Sequence, residues 1–153
     1  MSASSLVIVG VSVLLQITGG RLLASPWWMP DLILAGFLLI VTRSARCSLL
    51  HVLGLIAVLS TVFSVGHPLG TALAYLGAGG LVVWMSSQWD LAQPSLQLAA
   101  LGAAEGVLLV LCLMFYRTGL AWGLLPLMIL RIGTTVLSFP LLKRLMRKTL
   151  RVS

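Results

Sequence analysis

Hydrophobic positions along the chain fall in long blocks that are interrupted by short polar or turn-forming stretches. Near the centre, two apolar segments flank the sequence Gly66-His67-Pro68-Leu69-Gly70, which is too short to form anything but a tight reversal. The apolar segments on both sides approach the length of about 20 residues that a helix needs to cross a bilayer. The centre of the chain is therefore predicted to be a membrane helical hairpin.

The same pattern continues over the whole chain and predicts six transmembrane helices with short loops. They are expected at about residues 5–24, 28–42, 47–65, 69–87, 95–116 and 120–142, followed by a basic tail at 143–153. The first segment lacks the basic start of a signal peptide, and five further apolar segments follow it, so a retained helix is expected. The predicted fold class is an all-α integral membrane protein with a single polytopic domain.

Composition supports this prediction, because 59% of the 153 residues are apolar and only 8% are charged. In a soluble domain roughly a quarter of the residues are charged, so the few charged residues of this chain cannot cover a water-exposed surface. The two cysteines, Cys47 and Cys112, form no CxxC motif and have no histidine cluster beside them, so neither a disulfide framework nor a metal site is indicated.

The distribution of basic residues predicts the orientation in the membrane. The net charge is +7, and with six helices seven of the ten basic residues fall on the side of the two termini, against two on the opposite side. The positive-inside rule then places both termini in the cytoplasm, and it accounts for the charge better than nucleic-acid binding does. The expected cytoplasmic basic tail consists of Lys143, Arg144, Arg147, Lys148 and Arg151.

That tail has apolar residues near one face and basic residues near the other. It is expected either to extend the sixth helix or to lie along the anionic cytoplasmic leaflet, where each basic residue contributes about 1 kcal/mol. Anionic lipids are therefore expected partners of the tail.

Small residues suggest where the helices pack closely. Gly70, Ala74 and Ala78 recur at a spacing of four, which places them on one face of the fourth helix, and Gly102 and Gly106 form a GxxxG pattern in the fifth. His67 is expected in an outward-facing turn, where it holds the reversal rather than performing chemistry. All these residues are expected to serve turns and helix packing.

Glu105 and Arg131 are the charged residues that an apolar helix should not contain. They lie about eleven and twelve residues into the fifth and sixth predicted helices, which are antiparallel neighbours, so both are expected near the bilayer midplane. An isolated charge there costs roughly 2.5–3.5 kcal/mol, so the side chains are predicted to meet, directly or through Thr134. One acid and one base neutralise each other, and no other buried ionisable residue is expected beside them.

The pair has two possible roles. It either lines a cavity for a substrate or a proton, or it locks the hairpin of the fifth and sixth helices in one register, and the second role is favoured. Asp31 is expected elsewhere, because the neighbouring Trp27 and Trp28 favour the headgroup level. There Asp31 would stabilise the positive end of the second helix.

Sequence signatures of enzymes are absent. The chain contains no HExxH of a metalloprotease, no GxSxG-type nucleophile and no P-loop, and no aspartate pair of an intramembrane protease. No catalytic residue, cofactor-binding residue or metal ligand is therefore predicted.

The order of several short motifs resembles that of the MreD family, membrane proteins of the bacterial rod-shape system (the elongasome). The resemblance covers nearly the whole chain. Its motifs are Leu14-Leu15-Gln16, Pro30-Asp31-Leu32-Ile33-Leu34, Gly54, His67-Pro68-Leu69-Gly70 with Ala72, Ala74 and Tyr75, and Pro140-Leu141-Leu142. Members often carry an acidic residue just ahead of the central turn, where this chain has Ser60-Thr61-Val62-Phe63.

The resemblance implies a non-enzymatic scaffold in the bacterial inner membrane. Its implied partners are an MreC-like bitopic protein, the RodA glycosyltransferase with its transpeptidase, and MreB filaments. The family's six-helix fold also resembles the substrate-binding subunits of energy-coupling-factor transporters, so a vitamin-binding subunit is the alternative function. A proton-coupled carrier that uses Glu105 and Arg131 is a third hypothesis.

Overall fold

The computed structural model describes residues 3–22, 29–42, 46–63, 67–91, 93–116 and 125–151. These residues form an all-helical structure whose elements are α1 (Ala3–Leu22), α2 (Leu32–Val41), α3 (Arg46–Phe63), α4 (Pro68–Gln88), α5 (Pro94–Tyr116) and α6 (Leu125–Arg151). The bounds of α1, α3, α4 and α5 lie within about two residues of those expected from the hydrophobic pattern. The second and sixth helices differ more.

Three helices in the described part of the chain are long and apolar enough to cross a membrane: Pro68–Gln88, Pro94–Phe115 and Leu125–Arg147. Shorter apolar helical stretches occur at Ser5–Gly19, Leu32–Val41 and Leu49–Thr61. This arrangement is typical of a membrane protein.

The shortest helix, α2, lies at the centre of the fold. Its sequence LILAGFLLIV is apolar on every face, which is typical of a helix enclosed by others, and nine of its ten residues are buried. It contacts every other helix, whereas α4 packs most extensively against α3 and α5, and α1 packs against α2. A ten-residue helix is about 15 Å long, roughly half the thickness of a bilayer's hydrocarbon core.

The predicted second helix at 28–42 was therefore too long. Pro30 lies outside the helix, because the backbone at Asp31 is extended and its side chain accepts a hydrogen bond from the Leu34 amide. Asp31 is thus the N-cap of α2, and the chain turns into the helix one residue after the proline. Trp27 and Trp28 lie outside the described residues.

The predicted end of the sixth helix at residue 142 was too early, and of the two alternatives for the basic tail the structure shows the one in which it extends this helix. α6 continues to Arg151, so the expected basic tail is helical, and Lys143, Arg144 and Arg147 extend from it. The helix continues because apolar residues recur at helical spacing, and Leu142 and Met146 are buried against the core. Pro140 lies inside this helix. The side chains of Lys148 and Arg151 lie outside the described part.

The predicted packing face of α4 is confirmed. Gly70 is buried, and Ala74 and Ala78 are fully enclosed. α4 begins at Pro68, directly after His67, and Gly66 lies outside the described residues. In α5, by contrast, no described residue lies within 4 Å of a side-chain carbon built at Gly106, and only ordinary contacts surround Gly102. The predicted close approach at the GxxxG pattern was therefore wrong at Gly106.

Replacing Gly70 with alanine is expected to destabilise the protein by about 1–3 kcal/mol. The added Cβ would lie 2.7 Å from the Cβ and 2.9 Å from the Cγ of Phe115, and a change of rotamer cannot relieve the contact with Cβ because the backbone fixes that atom. Gly80→Ala is the matched control on the same helix, because no described residue lies within 4 Å of its added Cβ. The control should be neutral or stabilising by up to about 1 kcal/mol. Unfolding in mixed micelles measures both, and equal effects would contradict the close approach at Gly70.

Candidate functional site

The candidate site is built around Asp31, the N-cap of α2. Its carboxylate oxygen Oδ1 accepts a hydrogen bond of 2.9 Å from the Leu34 amide, and its own amide donates to Thr135 Oγ1 at 3.0 Å. The next amide, Leu32 N–H, donates to Gln16 Oε1 at 2.8 Å. Asp31 is fully buried, so water does not easily reach the start of this helix. Side chains from α1 and α6 instead accept the hydrogen bonds of its first backbone amides.

The second carboxylate oxygen of Asp31 connects α2 to two further helices. The hydroxyl of Tyr75 on α4 donates to Oδ2 over 2.5 Å, and Arg131 Nη2 on α6 lies 3.3 Å from the same atom. Tyr75 is itself buried, with 8% of its surface exposed. Both oxygens of Asp31 are thus occupied, one by its own helix and the other by α4 and α6.

Arg131 also contacts the second buried acid. Its Nε atom donates to Glu105 Oε1 over 2.7 Å, so the two side chains expected to meet between α5 and α6 are in direct contact. Glu105 is fully buried, whereas 17% of the Arg131 side chain is exposed. The other carboxylate oxygen, Oε2, is buried and has no hydrogen-bond partner among the described residues. We refer to Asp31, Tyr75, Glu105 and Arg131 as the polar cluster.

The expectation that Glu105 and Arg131 form a self-contained neutral pair was wrong. The polar cluster contains two carboxyl groups opposite one guanidinium group, because Asp31 is part of it. Asp31 was missed because the tryptophan pair before it pointed to the membrane surface, whereas its side chain caps a helix that begins inside the protein. Its position directly before an uninterrupted apolar block was the available signal, since such a block leaves a buried helix start that needs a cap.

Thr135 connects the backbone of α6 to the cluster. The Thr135 hydroxyl accepts from the Asp31 amide and donates to the carbonyl oxygen of Arg131 at 2.9 Å. The Thr134 hydroxyl also donates to the Arg131 carbonyl, at 2.9 Å, so it does not bridge Arg131 to Glu105 through that hydrogen bond. One residue of register on α6 decides which threonine faces α2.

The basic end of α6 makes a separate polar contact. Lys143 Nζ donates to Gln97 Oε1 over 2.8 Å, and the Gln97 amide nitrogen donates to the Leu91 carbonyl over 2.6 Å. Lys143 therefore connects the end of α6 to the start of α5, as expected of antiparallel neighbours. Arg144 and Arg147 are exposed.

His67 lies away from the polar cluster, at the start of α4. Its side chain is exposed and makes no capping hydrogen bond, and its carbonyl oxygen accepts from the amide and the hydroxyl of Thr71 at 3.0 and 3.1 Å. His67 is thus the N-cap of α4, and the residues of the reversal just before it lie outside the described part of the chain.

The chemistry available at these sites is acid–base and electrostatic. Among the residues that the structure describes, no group of three or more His, Cys, Asp or Glu side chains is arranged to hold a metal ion. Cys112, on the same helix as Glu105, is a half-buried free thiol. The hydrogen bonds and ion pairs of the polar cluster connect α2, α4, α5 and α6.

Compared with known proteins, the chain matches no family model, no curated protein and no solved structure.

Proposed function

We propose that this chain is a multi-pass protein of the bacterial inner membrane that acts as a non-enzymatic scaffold in the elongasome, as MreD proteins do. In this role it binds an MreC-like bitopic protein and supports the RodA glycosyltransferase and its transpeptidase, with MreB filaments on the cytoplasmic side. It performs no chemistry on peptidoglycan itself. Its contribution is a rigid membrane surface on which the partners assemble.

One observation carries this proposal. Three motifs that suggested the resemblance, around Gln16, Asp31 and Tyr75, lie far apart in the sequence but meet at the start of α2. Gln16 accepts from the Leu32 amide, and Tyr75 donates to Asp31. Short motifs chosen from the sequence alone are expected to meet in this way if together they specify one structural feature. Their meeting at the start of α2 therefore supports an architecture shared with MreD proteins.

The proposed arrangement in the membrane has six crossings with both termini in the cytoplasm. The three long apolar helices support the membrane location, and the distribution of basic residues supports the orientation. The exposed basic residues at the end of α6 would then lie near anionic lipids of the inner leaflet.

The polar cluster suits a scaffold because its contacts are internal. Asp31, Glu105 and Tyr75 are buried, and their hydrogen bonds join α2, α4, α5 and α6 to one another. The large apolar side chains that are exposed, such as Leu137 and Leu141 on α6, remain available for lipid or partner helices. A scaffold needs this combination of a fixed interior and an apolar outer surface.

Depletion of the protein from its own bacterial host tests the proposal. Rod-shaped cells should become round, and an MreC-like protein should co-purify with the tagged chain in mild detergent. Glu105→Gln should restore cell shape, since it keeps the size and one acceptor of the side chain. Normal morphology together with the absence of an MreC-like partner would contradict the proposal, and a vitamin retained through gentle purification would favour the transporter subunit instead.

A further inference from the structure

The polar cluster holds more negative than positive charge if both of its acids are ionised. Asp31 and Glu105 are fully buried, and Arg131 is the guanidinium that both of them contact. Tyr75 adds a neutral hydroxyl. An uncompensated charge enclosed by apolar helices is strongly unfavourable, and a buried carboxyl group takes up a proton rather than keep such a charge.

The hydrogen bonds indicate which acid keeps its charge. Asp31 accepts at both oxygens, from the Leu34 amide, the Tyr75 hydroxyl and Arg131, and it lies at the positive end of the α2 dipole. Glu105 accepts at Oε1 only, while its buried Oε2 has no partner among the described residues. The negative charge is therefore better stabilised on Asp31. Binding of a proton at Glu105 Oε2 removes the excess negative charge of the cluster.

We propose that the polar cluster is a binding site for one exchangeable proton, which is held on Glu105 Oε2. A proton taken from water converts the Glu105 carboxylate to a carboxylic acid, and the charge of the cluster changes from −1 to zero. The groups that face Glu105 are Arg131 from α6, Asp31 from α2 and, through Asp31, Tyr75 from α4; Cys112 lies two turns further along α5.

Loss of the proton would leave Asp31 and Glu105 in competition for one guanidinium group, which weakens the junction of α2, α5 and α6. The cluster thereby makes the packing of these helices sensitive to proton concentration. The inference depends on the cluster alone and holds whether or not the scaffold proposal is correct.

Infrared spectroscopy tests the assignment directly, because the chain contains only three acidic side chains, Asp31, Asp90 and Glu105. The protein is purified in a detergent without carbonyl groups, and the carbonyl stretch of a protonated carboxyl group is recorded at pH 7. We expect one such band, which shifts in D₂O and is lost in Glu105→Gln. Asp90→Asn is the control, since Asp90 is exposed, and it should retain the band.

Asp31→Asn provides the sharper test, because it leaves Glu105 as the one acid of the cluster in contact with Arg131. Glu105 should then ionise more readily. The band should therefore appear only at a proton concentration about tenfold or more above that needed in the wild type. A purely structural role of Asp31 would not produce this shift. Gel filtration and tryptophan fluorescence establish that each variant is folded. The wild-type band and its shift in D₂O test the proposal even if a variant fails to fold.

Three results would overturn the assignment. The first is a wild-type protein without the band at pH 7, and the second is a band that persists in folded Glu105→Gln. The third is an Asp31→Asn variant that titrates like the wild type. Loss of the band on addition of Na⁺ but not of a bulky organic cation would show that a metal cation occupies the site, and it would also overturn the assignment.

Discussion

Replacing Arg131 with methionine is expected to lower the free energy of unfolding by about 3–5 kcal/mol, the largest effect of any single substitution in the polar cluster. Arg131 lies 2.7 Å from Glu105 and 3.3 Å from Asp31, and both acids are fully buried. Without it, the Asp31 carboxylate would remain in an apolar interior with no opposite charge, beside the neutral carboxylic acid of Glu105. Unfolding with increasing SDS in mixed micelles, followed by the fluorescence of the five tryptophans, measures the change.

Arg144→Met is the matched control, since Arg144 lies on the same helix and its side chain is exposed. Its effect should stay within about 0.5 kcal/mol. Adding Asp31→Asn to Arg131→Met should recover part of the lost stability, because the double variant removes the uncompensated carboxylate but keeps an oxygen that can cap α2. Similar stabilities of Arg131→Met and Arg144→Met would contradict the account of the cluster.

Replacing Asp31 with alanine should lower the free energy of unfolding by about 2–4 kcal/mol, the second large effect. The substitution removes the N-cap of the central helix and the acceptor of the Tyr75 hydroxyl, and it removes one partner of Arg131. Because α2 contacts every other helix, a frayed start of α2 should reduce the packing of the whole bundle. The same unfolding measurement gives the magnitude.

Two comparisons separate these contributions. Asp31→Asn keeps an oxygen that can cap α2, so it should cost clearly less than alanine. Asp90→Ala removes the exposed acid and should change the stability by no more than about 0.5 kcal/mol. If Asp31→Ala were as mild as Asp90→Ala, the cap and its contacts to α4 and α6 would not stabilise the fold.

Most helices could be predicted because each is a long apolar block between polar or turn-forming residues. The block at Pro68–Gln88, for example, begins at a proline, and its small residues Gly70, Ala74 and Ala78 mark a buried face by their spacing alone. The end of α6 was harder to predict. Basic residues after Pro140 left open whether the tail extends the helix or lies along the membrane surface, and the buried side chains of Leu142 and Met146 show why the helix continues.

The candidate site could be predicted only in part. Glu105 and Arg131 stand out as charges within apolar blocks, and antiparallel neighbouring helices bring such residues together. Asp31 and Tyr75 belonged to motifs of the family resemblance but were not predicted to lie beside this pair, because their positions depend on which helix lies in the middle. Periodicity cannot show that the shortest and most uniformly apolar segment, α2, is enclosed by the others, and only that arrangement brings Asp31 to Arg131.

A double-mutant cycle between Asp31→Asn and Glu105→Gln tests most directly whether the polar cluster acts as one unit. Each single variant leaves one acid opposite Arg131, whereas the double variant leaves the guanidinium group without an acid in the cluster. The account predicts that the double variant loses at least about 1 kcal/mol more stability than the sum of the two single losses. Losses that add within about 0.5 kcal/mol would show that the two acids act independently, which would contradict it.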